Sequence, residues 1–366
     1  MVAAMSTVTN NNNKDLEALK FTLSTATALI AQLQSGLSES KRGDALQTTS
    51  PGSVNALDLA HDSASLVRAH STKLSLLIIN EPFTPTAIIK VIQELLASPL
   101  PGLASAIELC DPEKYTKAMS EELKWRGKKI FSEINSLVKH IPLDGKILSN
   151  NQKNAGNGSL STTGAVWEAC DAVMELKSIG VGGLFVKRAE QYRDLIKDAM
   201  EELQGWGEES DDVDDAEYDD EEDETNHNSA QAAVDNLLDS QAHIPADDHD
   251  KIRPRLDTSL RRLKLITLLY QAVVKRRFKT LPPLVRPAED SKAKGESVNV
   301  VYLDKVLNIM KKIPDITDEL ANAFYELDAS EIDARMDECF FSGFMISELL
   351  SDNWEGKKDE FSTWVC

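Results

Sequence analysis

Apolar residues recur through most of the chain at intervals of three and four, the spacing that places side chains on one face of an α-helix. The first series begins near Asp15 and ends near Leu37, which predicts a helix of about six turns. Further series predict helices that follow Ser53, Thr84-Pro85 and Asp111-Pro112. No segment alternates apolar and polar residues in the manner of a β-hairpin. The chain is therefore predicted to be all-α, with long amphipathic helices packed as antiparallel bundles.

The middle of the chain contains two helical stripes separated by the glycine-rich letters "SIGVGG". The second stripe begins at Phe185 and ends near Trp206. The first lies in "AVWEACDAVMEL", and the usual interpretation of such aromatic and methionine positions is burial in a core. Its members are Val166, Trp167, Cys170, Val173 and Met174.

The pattern in the last third of the chain predicts further helices. Within Arg253–Lys279, residues 263–270 are apolar on nearly every side, which indicates a helix at the centre of a bundle. Pro314 is predicted to divide two shorter helices, Val301–Lys312 and Ile316–Leu327. The helix from about Ser330 has an apolar stripe that includes Ile332, Met336, Phe340, Phe341, Phe344, Met345 and Leu349.

Acidic residues are concentrated in one segment. Thirteen of the eighteen residues 207–224 are Asp or Glu, so this run supplies −13 of the formal net charge of −20. A segment so charged and so poor in apolar residues is expected to stay disordered. The predicted organisation is a disordered N-terminus (1–13), an N-terminal helical bundle (14–206), an acidic linker (207–228) and a C-terminal helical domain (229–366).

Basic residues are concentrated shortly after the acidic run. Arg253–Lys279 contains nine cations and one acid, Asp257. Four interpretations of this helix stay open: a core helix with charged ends, a basic helix-loop-helix DNA reader, a nuclear import signal at "KRRFK", and a helix that the acidic run covers. If the acidic run does not cover the helix, it is a spacer. Candidate contacts to a partner or import receptor are Arg261, Arg262, Lys275, Arg276 and Arg277, and candidate phosphorylation sites are Ser210 and Tyr218.

Catalytic and cofactor-binding motifs are not found in the sequence. There is no phosphate-binding loop, dinucleotide fingerprint or nucleophile elbow, and "DDHD" at 247–250 is typical of a solvated loop. The four cysteines have neither CxxC nor zinc spacing, which fits a reducing compartment. We therefore expect a protein that is not an enzyme, that uses no cofactor or metal, and that binds neither membranes nor, given its acidity, nucleic acid directly.

Three segments resemble the cyclin-D-binding protein family, whose members interact with adaptors and D-type cyclins. They are "LVRAHSTKLSLLI" (66–78), "TGAVWEACDAVMEL" (163–176) and "VKRAEQYRDLIKDAMEEL" (186–203), followed by an acidic spacer and a second helical region. The resemblance implies a two-lobed helical protein of vinculin- or talin-like architecture that binds cyclins and adaptors without catalysis. It further implies restraint of cyclin-dependent kinase signalling and of cell-cycle transcription, in nucleus and cytoplasm. The alternative is a helical scaffold of the adhesion or cytoskeletal type, which bundle architecture alone favours.

Overall fold

The structure is a computed structural model that describes residues 2–39, 54–148, 159–209, 244–245, 247–284 and 300–365. No strand occurs among these residues, so the predicted all-α class is confirmed. A short 3₁₀ turn, Phe278–Thr280, follows the helix Ile252–Arg276. In chain order the helices are α1 (Val2–Glu39), α2 (Ala56–Ile79), α3 (Pro85–Ala97), α4 (Pro99–Leu109), α5 (Pro112–Tyr115), α6 (Lys117–Lys139), α7 (Ser159–Glu209), α8 (Ile252–Arg276), α9 (Val300–Tyr325), α10 (Ala329–Leu349) and α11 (Glu360–Val365).

Contacts divide the chain into two compact units: Met1–Leu184 with Pro283–Lys294, and Phe185–Pro282 with Gly295–Cys366. Their boundary falls within α7, near Gly180, where φ of +60° and ψ of −169° interrupt the helical geometry. Glycine adopts this backbone conformation readily because it lacks a Cβ atom. The predicted interruption at "SIGVGG" is therefore present.

In the first unit, α7 runs antiparallel to both α2 and α6. Asp171 of α7 pairs with Arg68 of α2, and Lys177, further along α7, pairs with the earlier Asp58. The same reversed order relates α7 to α6: Glu168 pairs with Lys129, and Glu175, further along α7, pairs with the earlier Arg126. Helix α1 packs on α3, α4 and α6, and α2 packs on α3 and α4. The unit is thus built from antiparallel neighbours, as the sequence predicted, while the likeness to vinculin and talin stays a prediction.

In the second unit, α9 and α10 form an antiparallel pair, whereas α8 and α10 run in the same direction. Arg255 and Arg262 of α8 pair in that order with Asp333 and Asp337 of α10. Further along, a Cβ atom on Gly343 would lie in contact with α8 side chains. Helix α9 contacts both of them, through Met310 to Tyr270 of α8 and through Thr317 to Cys339 of α10.

The limits of several elements differ from the prediction. Helix α1 begins at Val2 and so includes residues 2–13, which the sequence assigned to a disordered N-terminus. Extending an existing helix needs no new nucleus, so a polar segment can continue one. Thr116, with φ of +81°, separates α5 from α6 where one long helix was predicted. Helix α2 is capped by Asn55, whose side chain accepts from two backbone N–H groups, rather than by Ser53.

The boundary between the units also differs from the predicted one. Phe185 packs on Phe278 and Trp206 packs on Phe324, so residues 185–206 are part of the second unit and not of the N-terminal bundle. The stripe in α7 showed that these residues are buried, but a stripe does not identify the helix that covers it. Independent folding of the two bundles stays a prediction, and most of the acidic linker (210–228) lies outside the described residues.

Pro314 lies inside α9, so the two predicted helices are one. Proline has no N–H to donate to the carbonyl four residues earlier, that of Met310. The buried hydroxyl of Tyr270 donates to this carbonyl instead, at 2.6 Å. The hydrogen bond satisfies the group that proline leaves open, and burial raises the pKa of Tyr270 well above its ordinary value.

Replacing Tyr270 with phenylalanine should lower the free energy of unfolding by about 1–2 kcal/mol, because the Met310 carbonyl would stay buried without a donor. Urea titration of the full chain measures this change. Tyr302→Phe on α9 is the control, since Tyr302 is about half exposed, and it should change the value by less than about 0.5 kcal/mol. Equal effects of the two substitutions would contradict the proposed role of Tyr270.

Among the described residues, Pro85–Leu109 is long and apolar enough, with a mean hydropathy of 1.3, to cross a membrane by length and composition. In this fold the stretch is two helices, α3 and α4, separated at Ser98. Their apolar side chains pack against α1, α2 and α6. Core packing therefore accounts for the composition of this stretch; the buried residues include Ile88, Ile92, Leu95, Leu100, Leu103 and Ile107.

Candidate protein-interaction surfaces

Trp167 lies on the surface of the first unit, at the contact between α7 and α2. Its indole Nε1 donates to Thr72 Oγ1 at 3.1 Å, and the guanidinium of Arg68 lies 5.4 Å from the ring centroid. Arg68 also pairs with Asp171 at 3.0 Å. We call these four residues the Trp167 cluster. Thr72 and Arg68 hold the indole ring in one orientation, while Trp167 stays 36% exposed.

The prediction that Trp167 belongs to the core was wrong, although its neighbours Val166, Cys170 and Val173 are buried as predicted. Burial raises the pKa of the Cys170 thiol to about 12, as expected for a structural cysteine. Trp167 lies at the edge of the helical stripe, and its polar Nε1 reaches a surface hydroxyl. Tryptophan combines a large apolar surface with one hydrogen-bond donor, which is why it is enriched in protein interfaces.

Two exposed leucines extend the apolar part of this surface. Leu76 follows Thr72 by one helical turn on α2, and Leu160 precedes Trp167 by two turns on α7. Because the helices are antiparallel, both leucines lie toward the same end of the cluster. The Trp167 cluster and these leucines form a candidate contact surface for another protein.

A second apolar surface lies on α8 and α10, on the side of these helices opposite α9. Five large apolar side chains are 41% to 61% exposed there. Helix α9 covers the other side, where Tyr270 binds Met310 and Cys339 lies beside Thr317. We call this exposed surface the α8–α10 face, and its apolar members are Leu265, Leu268, Phe340, Phe341 and Phe344.

This surface corrects the prediction that residues 263–270 lie at the centre of a bundle. The apolar segment 263–270 is not surrounded by other helices, because Leu265 and Leu268 face outward. The three phenylalanines near the end of α10 are also exposed, although Ile332 and Met336 of the same stripe are buried. A stripe wider than its covering helices leaves part of its apolar surface in contact with solvent.

A groove of about 500 Å³ continues the α8–α10 face toward the beginning of both helices. Arg255, Arg262, Asp333 and Asp337 line it together with the side chain of Met336. The two ion pairs across the groove, at 2.9 and 3.1 Å, neutralise these four charges. Arg262 also lies over the Phe340 ring, 5.5 Å from its centroid, and so joins the groove to the apolar surface.

Four of the predicted partner contacts lie on or beside this face. Arg262 is half-buried in the contacts just described, whereas Arg261 and Lys275 are exposed on the outer side of α8. Arg276 pairs with Glu360 of α11 at 2.8 Å. A role for these four residues in binding a partner or an import receptor stays a prediction.

Arg277 differs from the other four because its side chain is fully buried. Its five N–H donors bind the carbonyls of Arg276, Leu350 and Ser351 and both carboxylate oxygens of Asp359, at 2.8–3.1 Å. The guanidinium also lies 4.4 Å from the centroid of Phe361. Arg277 therefore attaches the C-terminal segment to the end of α8. Because its side chain is fully buried, it has no exposed surface for the predicted contact with a partner or import receptor.

Ser210 and Tyr218 lie outside the described residues, so their phosphorylation stays a prediction. Within the described ranges, no group of three His, Cys, Asp or Glu side chains has an arrangement suited to a metal ion. His249 pairs with Asp247 in an exposed turn, as the interpretation of "DDHD" as a solvated loop predicted.

Comparison with known proteins gives two findings. Residues 60–209 match the family model described as "Grap2 and cyclin-D-interacting, N-terminal". An uncharacterised protein of Schizosaccharomyces pombe is 22% identical over 309 residues, which cover 84% of this chain and 81% of that protein. The three segments that carry the resemblance and the whole Trp167 cluster lie within the matched residues. The resemblance to the cyclin-D-interacting family is thereby confirmed over this part of an all-α chain.

Proposed function

We propose that this protein is a non-enzymatic regulator of the cell cycle that binds a D-type cyclin or related cell-cycle protein, together with adaptor proteins, and restrains cyclin-dependent kinase signalling. The observation that supports it best is the family match over residues 60–209. Two of the resembling segments meet within that range at the Trp167 cluster. We therefore propose this cluster as the contact for the cyclin-type partner.

The geometry of the cluster suits this role. Binding costs less entropy when a side chain is already held in its bound orientation. Trp167 is held by Thr72 on its polar edge and by Arg68 over its face. A ring that is held in this way and partly exposed can supply a large part of the binding free energy from a small area.

We propose that the protein acts in both nucleus and cytoplasm. The nuclear location is supported by the resemblance and not by the "KRRFK" segment, because Arg277 and Phe278 are both buried. An import receptor would need these residues extended and exposed. Import would therefore require another segment of the chain or a bound partner.

Replacing Trp167 with alanine should weaken binding to a purified D-type cyclin about tenfold or more, as expected for a central aromatic contact. Fluorescence anisotropy with labelled cyclin measures the affinity. Trp125→Ala is the matched control, since Trp125 is also an exposed tryptophan of the first unit, on α6, and should leave binding unchanged. Circular dichroism of both variants checks that the helices are retained.

Two results would contradict this proposal. Absence of cyclin binding by the unaltered chain would reject the partner, and equal losses in the two tryptophan variants would reject the site. The alternative function, a cytoskeletal or adhesion scaffold, is supported only by helical architecture, which does not determine function. Recovery of actin-linked proteins without cyclins or kinases in an affinity purification would favour it.

A further inference from the structure

The α8–α10 face exposes more contiguous apolar surface than the interior packing of the second unit explains. Helix α10 has no charged residue from Cys339 through Ser347, although Phe340, Phe341 and Phe344 in that stretch face solvent. Leu265 and Leu268 are exposed on α8, in the same turns as Ile266 and Leu269, which lie nearest to Gly343 of α10. Contiguous apolar patches of this kind, bordered by polar residues, mark sites of protein interaction.

The borders of the face define the length of what it can bind. Arg262 and Asp337 form an ion pair at one end, and Arg276 and Glu360 form another at the opposite end. Fourteen residues of α8 separate Arg262 from Arg276, which corresponds to about 21 Å along the helix at 1.5 Å per residue. Two parallel helices also leave a shallow channel between them. A third helix of about four turns would fill this space.

Charges around the apolar residues are mostly positive. Helix α8 has no acidic residue after Asp257, and Arg261, Lys264 and Lys275 are all exposed on its outer side. Neither Lys264 nor Lys275 forms an ion pair with any of the described residues. Among the acids of α10 near the apolar centre, Asp337 pairs with Arg262 and Glu338 pairs with Arg335, which leaves Glu348, one turn after Phe344, as one exposed acid beside three exposed cations.

We infer that the α8–α10 face binds an amphipathic helix of another protein, with its apolar side on the phenylalanines and leucines and its acidic residues beside Arg261, Lys264 and Lys275. This helix-in-groove mode uses large apolar side chains spaced by three and four residues. The charges select an acidic helix over a basic one and accelerate its association. The inference concerns the second unit and does not depend on the proposed cyclin contact at Trp167.

A second copy of this chain fits the face less well. Two copies of the same surface would bring the α8 cations of each protomer toward those of the other, and like charges in an interface are unfavourable. Their α10 aspartates cannot compensate without giving up their own pairs with Arg255 and Arg262. Charge complementarity therefore favours an acidic partner.

The test uses the full chain and two fluorescein-labelled 18-residue peptides. One peptide carries leucine and phenylalanine on one helical side and glutamate on the other, and its matched control carries lysine in place of every glutamate. Affinity is measured by fluorescence anisotropy for the unaltered chain, for the double variant Phe341→Ser with Phe344→Ser, and for Leu195→Ser with Tyr302→Ser. The last is the control, because its two positions are similarly exposed elsewhere in the second unit.

The glutamate peptide should bind the unaltered chain and lose affinity about tenfold or more in the double phenylalanine variant. The control variant should bind as the unaltered chain does. Lys275→Glu should weaken the glutamate peptide, and added salt should do the same because it screens exposed charges. All four phenylalanine and control positions are more than half exposed, so helical content should stay unchanged in circular dichroism.

Three results would overturn the inference. The first is no binding of the glutamate peptide, or equal loss in the phenylalanine and control variants. The second is equal affinity for the glutamate and lysine peptides, which would remove the charge argument. The third is a dimer of the unaltered chain, seen by light scattering, that the phenylalanine substitutions dissociate, because the occupant would then be a second copy. Cyclin binding that fails while the glutamate peptide binds would reject only the proposed function.

Discussion

Replacing Arg277 with leucine should lower the free energy of unfolding of the second unit by about 3 kcal/mol, the lower end of the range for removing one partner of a buried ion pair, because Asp359 is 33% exposed. The side chain is fully buried, and its five donors bind three carbonyls and Asp359. Leucine would remove all five hydrogen bonds, and the Leu350 carbonyl and Asp359 Oδ2 would lose their donor. The other acceptors would keep hydrogen bonds from Thr280 and Ser362. Urea titration followed by circular dichroism measures the change.

The neighbouring residue provides the control. Arg276 pairs with Glu360 at the same 2.8 Å distance, but both side chains are about half or more exposed. Such pairs contribute about 0–1 kcal/mol, so Arg276→Leu should change stability little. Lysine at position 277 would keep the charge but not the planar fork, and should recover only part of the loss. Similar losses at 276 and 277 would show that burial of Arg277 does not matter.

The pH dependence of the Arg277–Asp359 pair follows from its geometry. Hydrogen bonds from Arg277 hold the pKa of the Asp359 carboxyl well below its usual value. A carboxyl whose pKa is lower in the folded state contributes stability that is complete above its unfolded pKa, about 3.9, and is lost as the pH falls further. Acid titration below about pH 4 should therefore destabilise the unaltered chain more than Asp359→Asn.

Replacing Arg126 with methionine should lower the free energy of unfolding of the first unit by a similar amount, about 3–5 kcal/mol. The Arg126 side chain is only 8% exposed and binds Glu122 within α6 at 2.8 Å. It also reaches across to α7, where it pairs with Glu175 at 3.0 Å and donates to the carbonyl of Ala172. Its removal would leave Glu122 buried without this cation and would weaken the contact between two helices.

Lys129, about one turn further along α6, is the matched control. Its pair with Glu168 of α7, at 3.3 Å, also links the two helices but is exposed, so Lys129→Met should cost less than about 1 kcal/mol. Combining Glu122→Gln with Arg126→Met should recover part of the stability, because no uncompensated charge would be buried there. Equal costs at positions 126 and 129, measured by urea titration, would contradict the argument.

Periodicity predicted where helices form more reliably than where they end. The stripes of α2, α3, α6, α7 and α10 lie in helices, because a stripe reflects the 3.6-residue repeat of the backbone itself. Pro314 was predicted to end a helix, and it does not. Tyr270, which lies 44 positions before Pro314, donates the hydrogen bond to the Met310 carbonyl that the proline cannot donate. No local pattern contains that information.

The candidate surfaces also show that local periodicity places a residue on a helix but does not say whether other helices cover it. Trp167 and Phe340 both lie on helical stripes, and both are partly exposed. Whether such residues are covered depends on how many helices pack around them, and this number is set by the assembly of distant segments. Arg277 shows the reverse: in a run of cations it was predicted to be exposed, yet Asp359 and the carbonyls of residues 350 and 351 surround it.

The sequence by itself determined the all-α class, the positions of most helices and the resemblance of three segments to cyclin-D-interacting proteins. These properties depend on local periodicity and on short segments of side chains. The tertiary structure alone decided that residues 185–206 pack with the second unit, that Arg277 is buried, and that the phenylalanines of α10 face outward. Each of these outcomes depends on contacts between residues far apart in the chain, which a one-dimensional pattern of apolar and polar positions does not specify.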